Sequence, residues 1–370
     1  MSGNDIVLVI VVGTALVFDF TNGFHDTANV VATSISTHAM PPRIAVAYAA
    51  IFNFAGAFIS LAVAATVAKD VVNGDVITPT VVFAGLVGAI FWNLVTWYLG
   101  LPSSSSHALI GGVVGSAFVA GGADAVLSDG VIGKVLIPAV IAPVVAFVVG
   151  VIAINIVYGV VGRERPGVVN RGFRLGQVVS GGMLALAHGT NDAQKTMGVI
   201  TLALIANGSL SESADVPFWV VISAASAISL GTYFGGWRII RTMGTRIIKM
   251  DAAQGFSAQG AGAAVILASS HGGFPLSTTH TITGAVIGSG AAKRLSAVRW
   301  GVAGNIIAAW VITLPAAALL GGVAYGVTRL FGTGAAGPIV VLVLIVAGTT
   351  VLFLRRARVG TTPVAPPVEA

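Results

Sequence analysis

Apolar residues run together near positions 5 to 20, 43 to 66, 79 to 100, 132 to 159, 216 to 236, 300 to 328 and 338 to 354. These lengths are close to the ~20 residues a helix needs to cross a bilayer. Between them lie shorter segments, near 24 to 38, 102 to 120, 173 to 206, 255 to 270 and 274 to 292, interrupted by Gly, Pro and small polar residues. In lipid a backbone must satisfy its own N–H and C=O groups, so the long runs read as transmembrane helices. The interrupted segments read as half-helices or re-entrant hairpins buried among them. The expected fold class is an all-α polytopic membrane protein.

The pattern also repeats. A shift of 173 residues lays PSSSSHALIGGVVGS (Pro102 to Ser116) over PLSTTHTITGAVIGS (Pro275 to Ser289), with seven identities in fifteen positions. A shift of 166 lays GFHDTAN (Gly23 to Asn29) over GTNDAQK (Gly189 to Lys195), matching the Gly and the Asp. Two homologous halves are therefore expected, at 1–160 and 173–330, with a linker at 161–172. An additional transmembrane helix at 331–354 and a disordered, proline-bearing tail at 355–370 complete the chain.

Composition agrees: 56% of residues are hydrophobic and 9% charged, against about 25% charged in an ordinary globular protein. Cysteine is absent, which excludes disulfides, thiolate metal sites and a cysteine nucleophile. The net charge of +6 does not point to nucleic acid, because the basic residues sit in short loops between apolar runs. The run from Ile6 to Phe18 has no basic residue before it and no small-residue cleavage site after it, which fits a retained helix.

Loop charge suggests how the halves are related. Arg163, Arg165, Arg171 and Arg174 mark the central linker, and Arg238, Arg241, Arg246 and Lys249 a later loop. Lys293, Arg294 and Arg299 mark another, and Arg355, Arg356 and Arg358 the tail. The first-half counterparts, Lys69 to Asp75 and Asp124 to Asp129, are neutral to acidic. Cytoplasmic loops collect Lys and Arg, so corresponding loops fall on opposite sides if 79–120 and 255–292 each enter and return. That threading is an inverted-topology repeat with the amino terminus outside and the linker and carboxyl terminus inside. The stretch Trp237 to Met250 has cations at helical spacing and reads as an interfacial cytoplasmic helix.

Chemistry enters with the polar residues. Ser104, Ser105 and Ser106 follow Pro102, and Ser277, Thr278 and Thr279 follow Pro275. Both are helix-start signals, and a helix start at membrane depth offers N–H groups and a partial positive charge to an anion. Each cluster alone reads equally well as structural capping; the duplication favours an oxyanion cage. Asp26 and Asn29 share a helical face, with Asn22 one turn earlier. Their second-half counterpart supplies Asn191, Asp192, Gln194 and Lys195, an oxygen-rich set suited to a hard cation or to an internal Asp192–Lys195 ion pair. His25, His107, His188 and His280 sit beside these motifs, each either a proton carrier or a structural hydrogen-bonder.

The stretches NGFHDTAN (22–29), GLPSSSSHALIGG (100–112), AHGTNDAQK (187–195) and FPLSTTHT (274–281) resemble the signatures of the inorganic phosphate transporter (PiT) family, above all its bacterial low-affinity symporters. The likeness covers roughly residues 5 to 330, and four linked motifs make it specific. It implies about a dozen membrane segments in the plasma (inner) membrane, no enzymatic activity and no covalently bound cofactor. Phosphate would be held by Ser104, Ser105, Ser106, Ser277, Thr278 and Thr279 with Gln194 and Lys195. The coupling cation or proton would sit at Asn22, His25, Asp26, Asn29, Asn191 and Asp192. The first motif reads Gly-Phe-His-Asp where sodium-coupled members resemble Gly-Ala-Asn-Asp. A titratable ring in place of an amide oxygen favours proton over sodium coupling. Bacterial members with this motif also resemble carriers of neutral metal–phosphate complexes, and Asp26, Asn29 and Asp192 are the candidate divalent-cation ligands. The expected partners are inorganic phosphate and the lipid bilayer, and a homo-oligomer is compatible with the sequence. The rivals are a sulfate symporter of the same fold, an intramembrane hydrolase and a passive anion channel.

Overall fold

In the computed structural model, which describes residues 3–74, 77–332 and 334–358, α1 (Gly3–Ser36) runs without a break through the first polar motif. Helix α8 (Pro166–Ala206) runs through the second in the same way. The expectation of broken half-helices at 24–38 and 173–206 is thus corrected. Thr27 Oγ1 donates to Gly23 O at 2.6 Å and Thr190 Oγ1 to Leu186 O at 2.8 Å, each four residues back. The hydroxyls engage the helix's own carbonyls without opening it. Pro166 lies in the first turn of α8, where its missing N–H is harmless. The joint between α7 and α8 is therefore shorter than the expected linker.

The apolar run 43–66 divides into α2 (Pro42–Gly56) and α3 (Ala62–Lys69). Helix α4 (Pro79–Leu99) starts on a Thr78 cap and ends on Gly100 at φ 68°, a left-handed turn that glycine adopts without strain. The chain then reverses into α5 (Ser105–Gly121). Helix α6 (Ser128–Gly130) continues through a π-helical turn into α7 (Ile137–Val161). Helix α9 (Phe218–Phe234) bends by 61° into α10 (Trp237–Arg241) and a further π-helical turn. There Ile239, Ile240, Met243, Ile247 and Ile248 are buried while Arg241, Arg246 and Lys249 stay exposed, the amphipathic layout expected of this stretch. Helices α11 (Ala252–His271), α12 (Thr278–Ala291), α13 (Trp300–Arg329) and α14 (Ala336–Arg358) follow. Among the described residues there is no strand, and the tail beyond residue 358 lies outside them.

Among the described residues, four helical segments are long and apolar enough to cross a membrane by length and composition: Asp5–Ser36, Pro79–Leu99, Ser128–Val161 and Trp300–Arg329. The bent α9–α10 pair makes a fifth. Helix α8 has the length, but its run from Thr190 to Thr196 lowers its mean hydropathy. A multi-pass helical membrane protein is the result.

Loop contacts give the threading physical content. Val72 bridges Val126, and Leu127 N donates to Val71 O at 3.2 Å, so the α4–α5 hairpin returns to the loop it left. Arg299 N donates to Ile247 O at 3.0 Å, which closes the base of the α11–α12 hairpin likewise. The tips of the two hairpins meet: Ser106 Oγ donates to Leu276 O at 3.1 Å, and the His107 and His280 rings lie edge to face at 4.7 Å.

Packing crosses between the halves, with α5 against α13 and α12 against α7. A Cβ on Gly115 would lie 2.0 Å from Ala318 O, and one on Gly288 would lie 2.2 Å from Phe147 O. These two glycines correspond under the 173-residue shift, so each half-helix leans on the other half through the same contact. The long helices do likewise: Gly23 approaches Ile228 O of α9, and Gly189 approaches Asn53 O of α2.

Alanine usually favours a helix by about 1 kcal/mol over glycine. At Gly115 and Gly288 the sign should reverse, because rigid backbone blocks the new methyl and overpacking costs about 1–3 kcal/mol. Each substitution to Ala is expected to lower the melting temperature of the purified protein in detergent. An unchanged or raised melting temperature would contradict the close contacts.

Candidate substrate and cation site

The hydroxyls of the two helix starts cap their own helices or meet residues of the long helices and of the opposite hairpin. Ser104 caps α5 by accepting from His107 N at 3.1 Å, and Ser277 caps α12 by accepting from His280 N at 3.2 Å. The next residue in each case reaches a carboxylate. Ser105 Oγ lies 2.6 Å from Asp26 Oδ2, and Thr278 Oγ1 donates to Asp192 Oδ2 at 3.1 Å. The third hydroxyl crosses over: Lys195 Nζ donates to Ser106 Oγ at 2.6 Å, and Asn29 Nδ2 donates to Thr279 Oγ1 at 2.9 Å. Lys195 and Asn29 correspond under the 166-residue shift, so one contact pattern is built twice. First-turn N–H groups of α5 and α12 add partial positive charge to the cluster.

Charge is paired within this cluster. Lys195 Nζ donates to Asp192 Oδ1, to Ser106 Oγ and to Leu276 O, which uses all three of its protons. His25 Nδ1 lies 2.6 Å from Asp26 Oδ1. Its Nε2 lies 3.2 Å from Thr96 Oγ1, and Ser103 Oγ donates to that hydroxyl at 2.8 Å. Asn22 Oδ1 lies 2.6 Å from Ser105 Oγ. All these side chains are buried.

His188 is held differently. Asn53 Nδ2 donates to Thr232 Oγ1 at 2.8 Å, which turns the Asn53 oxygen toward His188 Nδ1 at 3.2 Å. Nδ1 therefore carries a proton, and Nε2 stands 3.0 Å from Asp192 Oδ2. The ring so fixed turns Nε2 to a carboxylate, the orientation of a metal-ligating histidine whose other nitrogen is held by an amide oxygen. Asp26, His188 and Asp192 each offer a ligand atom, all within 4.8 Å of one another. Of the expected divalent set, Asp26 and Asp192 lie in this group with His188 beside them, and Asn29 Nδ2 donates to Thr279.

Two further expected residues are placed elsewhere. Gln194 Oε1 accepts from Val63 N at 2.8 Å and Ala64 N at 3.3 Å, and its Nε2 donates to Thr190 O. Its side chain caps α3 and does not join the cluster. Asn191 Nδ2 donates to Ser270 Oγ at 2.8 Å and Phe274 O at 3.2 Å, tying α8 to the second hairpin, while its buried Oδ1 has no partner. His107 and His280 pack on each other, and the His280 ring stacks on Trp310 at 4.0 Å.

Asn53, Thr96 and Ser103 support the site from outside the expected residues. Asp19, on α1 three residues before Asn22, is fully buried and neither of its oxygens has a hydrogen-bond partner. An acid in an otherwise apolar run was the sequence signal for it.

Removing one member of a buried ion pair leaves an uncompensated charge and costs about 3–5 kcal/mol. Asp192→Asn is expected to destabilise the protein strongly by thermal melting in detergent, and the double variant Asp192→Asn/Lys195→Met to recover much of the loss. A single variant as stable as the parent would show that Lys195 does not depend on Asp192.

The Phosphate transporter family matches the chain twice, at residues 22–171 and 162–321. Mycobacterium leprae has a relative 52% identical over 361 residues, covering 97% of this chain and 87% of the relative. Relatives from Rhizobium meliloti and Bacillus subtilis are 50% and 45% identical, each covering 86% of this chain and 96% of the relative. All three carry the name "Probable low-affinity inorganic phosphate transporter". A solved structure, "The sodium-dependent phosphate transporter", superposes with a TM-score of 0.81 over 88% of this chain and 99% of that one, at 23% identity. The two family matches fall one on each half of the duplicated cluster, and the chain belongs to the Phosphate transporter family, as a helical membrane transporter and not an enzyme.

Proposed function

We propose that the protein imports inorganic phosphate by proton symport through alternating access. The observation that carries this reading is the paired contact of Ser105 with Asp26 and of Thr278 with Asp192. Phosphate oxygens at the starts of α5 and α12 compete with these carboxylates for the same hydroxyl protons. Once Ser105 and Thr278 turn to the oxyanion, Asp26 and Asp192 lose donors and require a proton or cation. Anion and cation binding are thereby coupled through two hydroxyls. Coupling also answers the membrane potential, which opposes an entering dianion by ~2.3 kcal/mol per charge per 100 mV.

His25 supports the proton as coupling ion. Thr96 Oγ1 lies 2.9 Å from Trp92 O, to which its hydroxyl can donate. A doubly protonated His25 then donates to Asp26 and to Thr96 Oγ1, with Ser103 donating to the same oxygen. When Thr96 rotates its proton to Nε2, the neutral ring is equally satisfied. The ring can therefore load and unload without moving heavy atoms. Sodium coupling is the alternative, and the solved relative is named as a sodium-dependent transporter.

Divalent cation as co-substrate is a second reading, favoured by the Asp26–His188–Asp192 cluster. A metal–phosphate complex would enter as cargo, its metal on these three residues and its oxygens on the hydroxyls. The threading that supports alternating access has two inverted repeats, about 12 segments, the amino terminus outside and the carboxyl terminus cytoplasmic, in the plasma membrane. Tip-to-tip hairpins, one based on neutral-to-acidic loops and one on basic loops, support that arrangement.

Uptake of labelled phosphate into proteoliposomes under an inward proton gradient, without sodium, tests this reading. Uptake should collapse with a protonophore, ignore excess sulfate and lose its pH dependence in His25→Asn. Strict sodium dependence would overturn the coupling ion, and inhibition by sulfate would overturn the selectivity.

A further inference from the structure

We propose that Asp19, with Asn22 and Thr196, forms a separate monovalent-cation site one turn away from the phosphate-binding cluster, and that its occupant is a proton or a sodium ion. Asp19 is fully buried on α1, and both of its carboxylate oxygens lack a hydrogen-bond partner. Thr196 Oγ1, on the facing α8, is buried and unpartnered as well. Thr196 and Asn22 are the polar side chains that act on the Asp19 carboxyl, and neither forms a hydrogen bond of normal geometry to it. Two unsatisfied groups thus converge from two helices on one point.

The charges around this point leave Asp19 uncompensated. Lys195 has all three protons engaged by Asp192, Ser106 and Leu276. His25 is committed to Asp26, and His188 faces Asp192. Helices α4 and α9, also packed against α1, carry no acid, lysine, arginine or histidine. An ionised carboxylate without partners in this interior is strongly penalised, and such a group is neutralised instead. Asp19 must therefore bind a proton or hold a cation to be stable where it lies. A sodium ion would take the carboxylate, the Thr196 oxygen and the Asn22 amide oxygen; a proton would turn the acid into a donor to Thr196. Both answers share one chemistry, neutralisation of Asp19 by a monocation among oxygen neighbours.

Position supplies the link to transport. Asn22 lies 2.6 Å from Ser105 Oγ, the same hydroxyl that reaches Asp26. Drawing the Asn22 oxygen toward a cation on Asp19 releases Ser105 for an anion. Occupation of the Asp19 site therefore raises phosphate affinity. This goes beyond the phosphate reading, in which Asp26 and Asp192 carry the coupling.

The test separates cation binding from phosphate. Full-length wild type and Asp19→Asn are purified in detergent without phosphate, and intrinsic tryptophan fluorescence, to which Trp92 and Trp97 on α4 contribute, is followed. One arm titrates NaCl at fixed alkaline pH, and the other titrates pH in sodium-free choline buffer. Wild type should show a saturable response in one arm, sodium or proton, and Asp19→Asn should lose it. Identical responses from both proteins, or no response from wild type in either arm, would overturn the proposal whether or not the protein carries phosphate. In proteoliposomes the positive charge moved per phosphate should fall by one in Asp19→Asn; an unchanged ratio counts against the site. If Asp19→Asn does not fold, Thr196→Val keeps the carboxylate and should shift half-saturation by about tenfold, the effect of losing ~1.4 kcal/mol. An unshifted Thr196→Val removes the site as drawn.

Discussion

Charge buried in a membrane protein must be answered by charge or by hydrogen bonds, and this requirement organises the molecule. Asp26, Asp192 and Lys195 lie in the interior with almost no solvent access. Their partners come from four different elements: α1, α8 and the starts of α5 and α12. Within α8 Asp192 meets Lys195, and within α1 Asp26 meets His25, but their remaining hydrogen bonds come from the other elements. Pairing therefore joins the first half of the chain to the second.

Close backbone contact makes the pairing geometrically possible. Gly23 and Gly189 let the long helices touch α9 and α2, while Gly115 and Gly288 seat the half-helices on α13 and α7. In lipid there is little hydrophobic drive between helices, so small residues at contacts and polar pairs at the centre provide the cohesion. The centre is also where the hydroxyls are shared between carboxylates and, in the proposed cycle, phosphate. One set of donors thus serves both stability and coupling.

Much of this was legible in the chain. Apolar runs located α4, α7, α9, α13 and α14 to within a few residues, and the twofold recurrence of Pro, Ser, His and Gly located α5 and α12. Ser105, Thr278, Asp26, Asp192 and Lys195 were all named from motif chemistry, and all meet in space. The misreading of 24–38 and 173–206 as broken helix has a local cause. Gly, Thr, Asn and Asp lower helix propensity when read alone, but here tertiary partners satisfy their side chains and the backbone ladder continues.

Composition, spacing and repetition by themselves determined a duplicated helical membrane protein with two hydroxyl-rich helix starts and two carboxylate motifs. They could do so because hydrophobic length and helix capping are local properties of the chain. Tertiary structure alone decided which oxygen faces which donor. It set Gln194 to cap α3, turned Asn29 to Thr279, fixed His188 through Asn53, and left Asp19 without a partner. Those outcomes depend on which helices pack together and how they are rotated, and spacing within one segment carries no record of what lies across the interface.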